Sequence, residues 1–154
     1  MYNSMASSQE SGSKGSTRLH MDMADAFNVM LNATDCEDGT PGYAVWDLFR
    51  AEDSDKIRAF LRKKFAPGSA TNATTNGQPQ TQAERAAALQ IQAIAAHDPI
   101  HSQHFYLDVE LKGLLWDEYG VKSFRIYQRP GEGVFIPAGC AHQVRFICRK
   151  ASIS

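Results

Sequence analysis

Apolar and polar residues alternate at both ends of this chain, and apolar residues recur at helical spacing in the middle. Leu19-His20-Met21-Asp22 and Ala26-Phe27-Asn28-Val29-Met30-Leu31 predict one or two short strands. Residues 35–42 are rich in Asp, Glu, Gly and Pro and read as a loop, and the aromatic, β-branched run 43–49 reads as another strand. Ile57, Phe60, Leu61 and Phe65 repeat at helical intervals, so a helix is predicted over 54–65, capped by Asp53 or Ser54 and stopped by Pro67. Residues 67–82 carry no large apolar side chain and read as a flexible polar insertion. Thr81 and Glu84 then form a capping-box pattern ahead of an Ala-rich helix to residue 96. Asp108 can cap a third helix with Leu111, Leu114, Leu115 and Tyr119 on one side, and Gly120 stands where a C-terminal cap belongs. Beyond it the period returns to two: a strand over 123–128, a turn at 129–133, a short strand over 134–137 and a last strand over 141–148.

Strands at both ends with helices between them predict an all-β core with helical insertions, a barrel or jelly roll. A dinucleotide or phosphate-binding loop is absent from the sequence. The 154 residues, 43% hydrophobic, suffice for one domain. Residues 1–16 read as a flexible lead-in, 17–148 as the domain and 149–154 as a tail. Sixteen Lys and Arg balance 17 Asp and Glu, which argues against a strongly basic nucleic-acid binder. Direct nucleic-acid binding has weak support: Arg62-Lys63-Lys64 is better read as favourable charge at a helix C-terminus. No apolar run is long enough to span a membrane. Three cysteines without a CxxC pair argue against a cysteine zinc site and a disulfide framework, and point to a reducing compartment.

The chemistry concentrates in three residues. His20 and Asp22, two apart on an extended segment, face the same way if both lie in a strand. His142 follows the turn Pro137-Ala138-Gly139 and opens the last strand. Two histidines and one carboxylate on one face leave the opposite metal positions open, the facial triad of non-haem iron(II) oxygenases. His97, His101 and His104 gather around Asp98 and Asp108. A second metal site there is conceivable, but surface or capping roles suit a turn-rich region better.

Residues 17–30 resemble the first metal-binding segment of Jumonji C (JmjC) domains. Residues 46–53 and 56–61, Asp98-Pro99-Ile100-His101, Tyr106-Leu107-Asp108 and Glu118-Tyr119-Gly120-Val121 are similar to the hairless-related histone lysine demethylases. The strongest match is Gly133-Val134-Phe135-Ile136-Pro137-Ala138-Gly139-Cys140-Ala141-His142-Gln143-Val144. The resemblance implies a double-stranded β-helix (jelly roll, cupin-like) in which His20, Asp22 and His142 are catalytic and hold iron(II). It implies 2-oxoglutarate as cosubstrate, with Thr17 and Asn28 in its pocket. Ala44 stands where many relatives carry a lysine for the far carboxylate. The family domain has further strands before residue 17 and after the last histidine strand, so an incomplete jelly roll is expected. The implied reaction is removal of N-methyl groups by hydroxylation, releasing formaldehyde and succinate. The implied partners are histone-tail methyl-lysine, chromatin and transcription-regulator complexes, in the nucleus. The alternatives are an inactive JmjC-like fragment serving as a structural or chromatin-interaction module, and a cupin-type hydroxylase with a non-histone substrate.

Overall fold

The computed structural model describes residues 17–36, 39–65 and 82–147. The predicted lead-in, the insertion as far as residue 81, the tail, and Thr81 of the capping box lie outside the described residues. Among the described residues six strands and three helices follow one another: β1 (Thr17–His20), β2 (Ala26–Val29), β3 (Tyr43–Leu48), a 3-10 turn (Ala51–Asp53), α1 (Ser54–Lys64), α2 (Gln82–Ala96), α3 (Val109–Tyr119), β4 (Phe124–Gln128), β5 (Gly133–Ile136) and β6 (His142–Ile147). The strands form an antiparallel four-stranded sheet in the order β1-β6-β3-β4 and a separate antiparallel pair, β2-β5.

The large sheet is covered on both faces. Ala44, Trp46 and Leu48 of β3 and Val144 of β6 pack against Met30 and against Val134 and Ile136 of β5, so the two sheets meet face to face. The opposite face meets the helices. Leu19, Phe49 and Ala141 join Ile57, Phe60 and Leu61 of α1, Leu115 of α3, and Ile100, Phe105 and Leu107 of the preceding loop. This is a mixed α/β fold with a cupin-like core. Among the described residues the sheets do not close into a barrel, which corrects the all-β expectation: half of the large sheet's cover is helical.

Local details follow the chemistry of the caps. Asp108 accepts a hydrogen bond from the Leu111 N–H at 2.9 Å, and Gly120 closes α3 at φ 65°. The predicted side-chain cap of α1 is not made. The 3-10 turn feeds the helix instead, which frees Asp53 to pair with Lys56 at 2.8 Å and Ser54 to donate to the Gly139 carbonyl at 3.2 Å. The basic end of α1 is engaged within the fold: Arg62 donates to the His97 carbonyl and Lys63 pairs with Glu118. Cys36 carries a disulfide, against the expectation drawn from the sparse cysteine count, while Cys140 is free.

Asp98 turns out to be a turn-builder. One of its oxygens accepts the backbone N–H groups of Ile100 and His101, and the other meets the His101 ring and Arg58. Burial alone would raise its pKa. The His101 backbone N–H and ring, the Ile100 N–H and the Arg58 guanidinium outweigh that and hold the carboxyl at about 2. A depressed folded pKa stabilises the fold above the unfolded value and loses that contribution as pH falls through the folded one. Asp98→Asn is therefore expected to cost about 1 kcal/mol at pH 7 after allowance for solvent screening. The difference should shrink between pH 4 and pH 2, read as denaturant midpoints of the two proteins across that range. Equal midpoints at pH 7 would contradict it.

Candidate metal centre

The structure brings His20, Asp22 and His142 together. One ligand atom from each lies within 4.8 Å of the other two, and among the described residues no other such group of histidine, cysteine or carboxylate side chains occurs. His142 Nε2 stands 3.9 Å from Asp22 Oδ2, and the two imidazole centroids are 4.1 Å apart. The His101 region forms the Asp98 turn instead, as its capping role requires.

Three different devices place these side chains. β6 carries His142 at its first residue, paired with His20 at the last residue of β1. β1 then slips register: Thr17 pairs with Val144, so three residue steps on β1 span two on β6. Such a bulge reverses the alternation of faces within one strand. Thr17 and His20, an odd number of residues apart, consequently both line the cavity, while Leu19 is fully buried toward the helices. Asp22 is not on the strand at all, which corrects the expectation that strand alternation aligns it with His20. It lies in the turn beyond β1, and its carbonyl accepts the Gly139 N–H at 2.9 Å. Gly139 adopts φ 77°, a conformation that costs glycine little, in the tight turn that leads into His142. One backbone hydrogen bond thus ties the carboxylate's turn to the second histidine's turn.

Both rings present the same nitrogen inward. His20 Nδ1 lies 2.9 Å from the Arg18 carbonyl and His142 Nδ1 lies 3.0 Å from the Cys140 carbonyl. A carbonyl can only accept, so each Nδ1 carries the proton and each Nε2 keeps its lone pair for a ligand bond. Burial pushes the His142 pKa down; the Cys140 carbonyl and Asp22 oppose this and the His20 ring adds to it. The result favours the neutral imidazole that metals require. His20, Asp22 and His142 would hold the metal through one atom each, their ligand atoms already lying within 4.8 Å of one another. The donor set fits a six-coordinate divalent metal with an open face, as the facial triad of iron(II) oxygenases does.

A cavity of about 670 Å³ opens beside the triad. Thr17, Asn28, Asn32 and Gln128 supply polar groups to its wall, Ala44, Ile136 and Val144 supply apolar surface, and no lysine or arginine lines it among the described residues. Trp46 stacks on His142 at 6.0 Å between centroids and 26° between planes. Its indole N–H donates to Gln128 Oε1 at 2.8 Å. Sequence reasoning missed both Trp46 and Gln128 as parts of the centre. The only signal was a Trp on a strand otherwise read as core, and nothing in the spacing joined it to a glutamine 82 residues later.

Two packed β-sheets, with two histidines on one of them and a carboxylate just beyond β1 beside a common cavity, define a cupin-like protein with a facial-triad-like metal centre. The family model described as "JmjC domain, hydroxylase" matches residues 11–149, and the chain belongs to that family. Lysine-specific demethylase 3A of Rattus norvegicus is 35% identical over 159 residues, covering 84% of this chain and 11% of that protein. Lysine-specific demethylase 3 of Drosophila melanogaster is 32% identical over 176 residues, covering 94% and 18%. Lysine-specific demethylase JMJ29 of Arabidopsis thaliana is 37% identical over 119 residues, covering 76% and 12%. The chain therefore spans less than one fifth of the length of these relatives. No helix among the described residues is long and apolar enough to cross a membrane.

Proposed function

We propose that this chain carries the catalytic core of an iron(II)- and 2-oxoglutarate-dependent dioxygenase of the histone methyl-lysine demethylase type. The observation that carries the reading is the triad itself: His20 and His142 with Nε2 free, Asp22 beside them, and a cavity on their open side. The names of the similar proteins support methyl-lysine as the substrate class. On the same footing we place the protein in the nucleus, with histone tails, chromatin and transcription-regulator complexes as its partners.

Iron(II) held by His20, Asp22 and His142 would, with 2-oxoglutarate, supply activation of dioxygen: one oxygen atom would go to the N-methyl group, whose carbon would leave as formaldehyde, and the other to 2-oxoglutarate, released as succinate and carbon dioxide. The protein's own residues do the rest. The Arg18 and Cys140 carbonyls hold the histidine tautomers. Trp46 covers one face of His142 and keeps bulk water from it. Thr17 and Asn28 offer a hydroxyl and an amide to the cosubstrate. With Ala44 in the wall and no lysine or arginine among the described lining residues, neutral donors would carry recognition of its carboxylate.

The test is an anaerobic titration with iron(II) and 2-oxoglutarate, followed through the visible metal-to-ligand charge-transfer band, then mass spectrometry of a methylated histone-tail peptide after admission of air. A saturable band at one iron per chain and loss of 14 mass units per methyl group are expected. Folded protein that shows no band would refute the oxygenase reading and leave a JmjC-like structural module. A band with 2-oxoglutarate turnover but no change in any methylated peptide would point to a hydroxylase with a non-histone substrate.

A further inference from the structure

The orientation of one buried amide is fixed by its neighbours. The indole N–H of Trp46 can only donate, so the Gln128 atom 2.8 Å from it must be the oxygen. The Gln128 nitrogen then faces three acceptors: the backbone carbonyls of Glu132 at 3.0 Å and Asn28 at 3.1 Å, and the Asn28 side-chain oxygen at 3.3 Å. Backbone carbonyls cannot donate either, so both ends of the Gln128 amide agree on one orientation. An Asn28 amide turned the other way would set NH2 against NH2. Gln128 is only 1% exposed, so its nitrogen has no solvent to turn to, while Asn28 on the exposed β2 keeps its other side open to the cavity. The two Gln128 N–H groups are shared among these acceptors, the Asn28 oxygen being the farthest at 3.3 Å; that contact turns the Asn28 oxygen toward Gln128 and leaves its NH2 for the cavity that both residues line with the triad.

We infer that Gln128 is a positioning residue that holds Asn28 as an N–H donor toward the cavity and so biases the site toward ligands ending in a carboxylate. The inference rests on the oxygenase reading and deepens it. The same residue also tethers Trp46, which lies on His142, so a single glutamine on β4 joins the small sheet's polar wall to the metal-binding edge of the large one. Recognition by neutral donors depends on their direction, because an amide reversed in place offers an oxygen where the carboxylate needs a hydrogen.

The test is a double-mutant cycle on the full chain loaded with zinc(II), a redox-inert stand-in for iron, reading 2-oxoglutarate affinity by calorimetry. Asn28→Ala and Gln128→Met are each expected to weaken 2-oxoglutarate by about tenfold, the worth of one charge-assisted hydrogen bond. If Gln128 acts through Asn28, the double variant is weaker than the worse single by no more than about threefold. Zinc(II) affinity without 2-oxoglutarate should stay within about threefold of the parent, below the change that loss of a ligand-orienting contact produces. A measurement on the unaltered protein guards against variants that fail to fold: the Asn28 side-chain NH2 resonances should shift when 2-oxoglutarate is added, and those of Gln128 should not. Multiplicative losses in the double variant, parallel loss of zinc(II), or unmoved Asn28 resonances would overturn the inference. Unaltered protein that binds zinc(II) and no 2-oxoglutarate would instead overturn the oxygenase reading, and this inference with it.

Discussion

Replacing His142 by alanine is expected to reduce iron(II) affinity by more than about a hundredfold while the protein stays folded. Changes to residues that merely orient a metal ligand cost about 10–100-fold, and His142 is proposed as a ligand, so its loss should exceed that range. The fold tolerates the change because burial favours the neutral imidazole, which among the described residues makes one hydrogen bond, to the Cys140 carbonyl, and no ion pair shorter than 3.9 Å. Removing a neutral buried group of this kind typically costs about 1–2 kcal/mol. The side chain leaves a pocket between Trp46 and His20, whose ring centroids lie 6.0 Å and 4.1 Å from its own. Added imidazole should occupy it and restore part of the metal affinity. Calorimetric titration with iron(II) under argon, with circular dichroism as the check on folding, reads both effects. Unchanged metal affinity in a folded His142→Ala protein would remove His142 from the centre, and with it the facial-triad assignment.

The elements and the triad were legible in the sequence for a shared reason. Each rests on a short-range signal: helical spacing from Ile57 to Phe65, the Asp108 and Gly120 caps, the rigid and permissive residues of Pro137-Ala138-Gly139 ahead of His142. What escaped depends on pairing between distant segments. The β1 bulge exists only against β6, and it decides that Thr17 shares a face with His20. Asp22 reached the site through a hydrogen bond to Gly139 and not through strand alternation. Gln128 reads as one polar residue at a strand end until β3 and β2 are both beside it. The polar residues of β3 and β6 carry no sequence signal for their setting. Asp47, Gln143 and Arg145 interrupt apolar strands at the spacing of a solvent face, yet each is almost completely buried, because the helical layer covers that face. Gln143 makes the burial possible by pairing with both the N–H and the carbonyl of Leu107, as a neighbouring strand would.

Asp47 is the anchor of that polar layer, and Asp47→Asn is expected to cost about 3–5 kcal/mol, the usual consequence of leaving a buried charge without its partner. Its carboxylate is 2% exposed and meets Lys112 at 2.6 Å, Arg125 at 2.9 Å and Gln143 at 3.2 Å. Burial alone would raise its pKa, but Lys112 and Arg125 together hold it below the ordinary carboxylate range. The cations outnumber it. Burial pulls the Lys112 ammonium below its usual pKa in spite of Asp47, and Arg125 and Arg145 add to the effect. Arg145 Nε is buried without a hydrogen-bond partner among the described residues. Taking away the carboxylate therefore strands both Lys112 and Arg125, whereas taking away one cation relieves their repulsion. Lys112→Met should accordingly change stability by less than about 1 kcal/mol, since Arg125 still pairs the carboxylate and the methionine keeps the packing. The pH dependence carries the same sign. A depressed carboxyl pKa stabilises the fold above the unfolded value of about 3.9 and stops doing so as pH falls through the lower folded value. The gap between the parent protein and Asp47→Asn should thus be full at neutral pH and close in acid. Denaturant midpoints for the two variants at pH 7 and pH 3 decide the matter. Equal losses from Asp47→Asn and Lys112→Met would mean that geometry, and not the excess of positive charge, holds α3 against the large sheet.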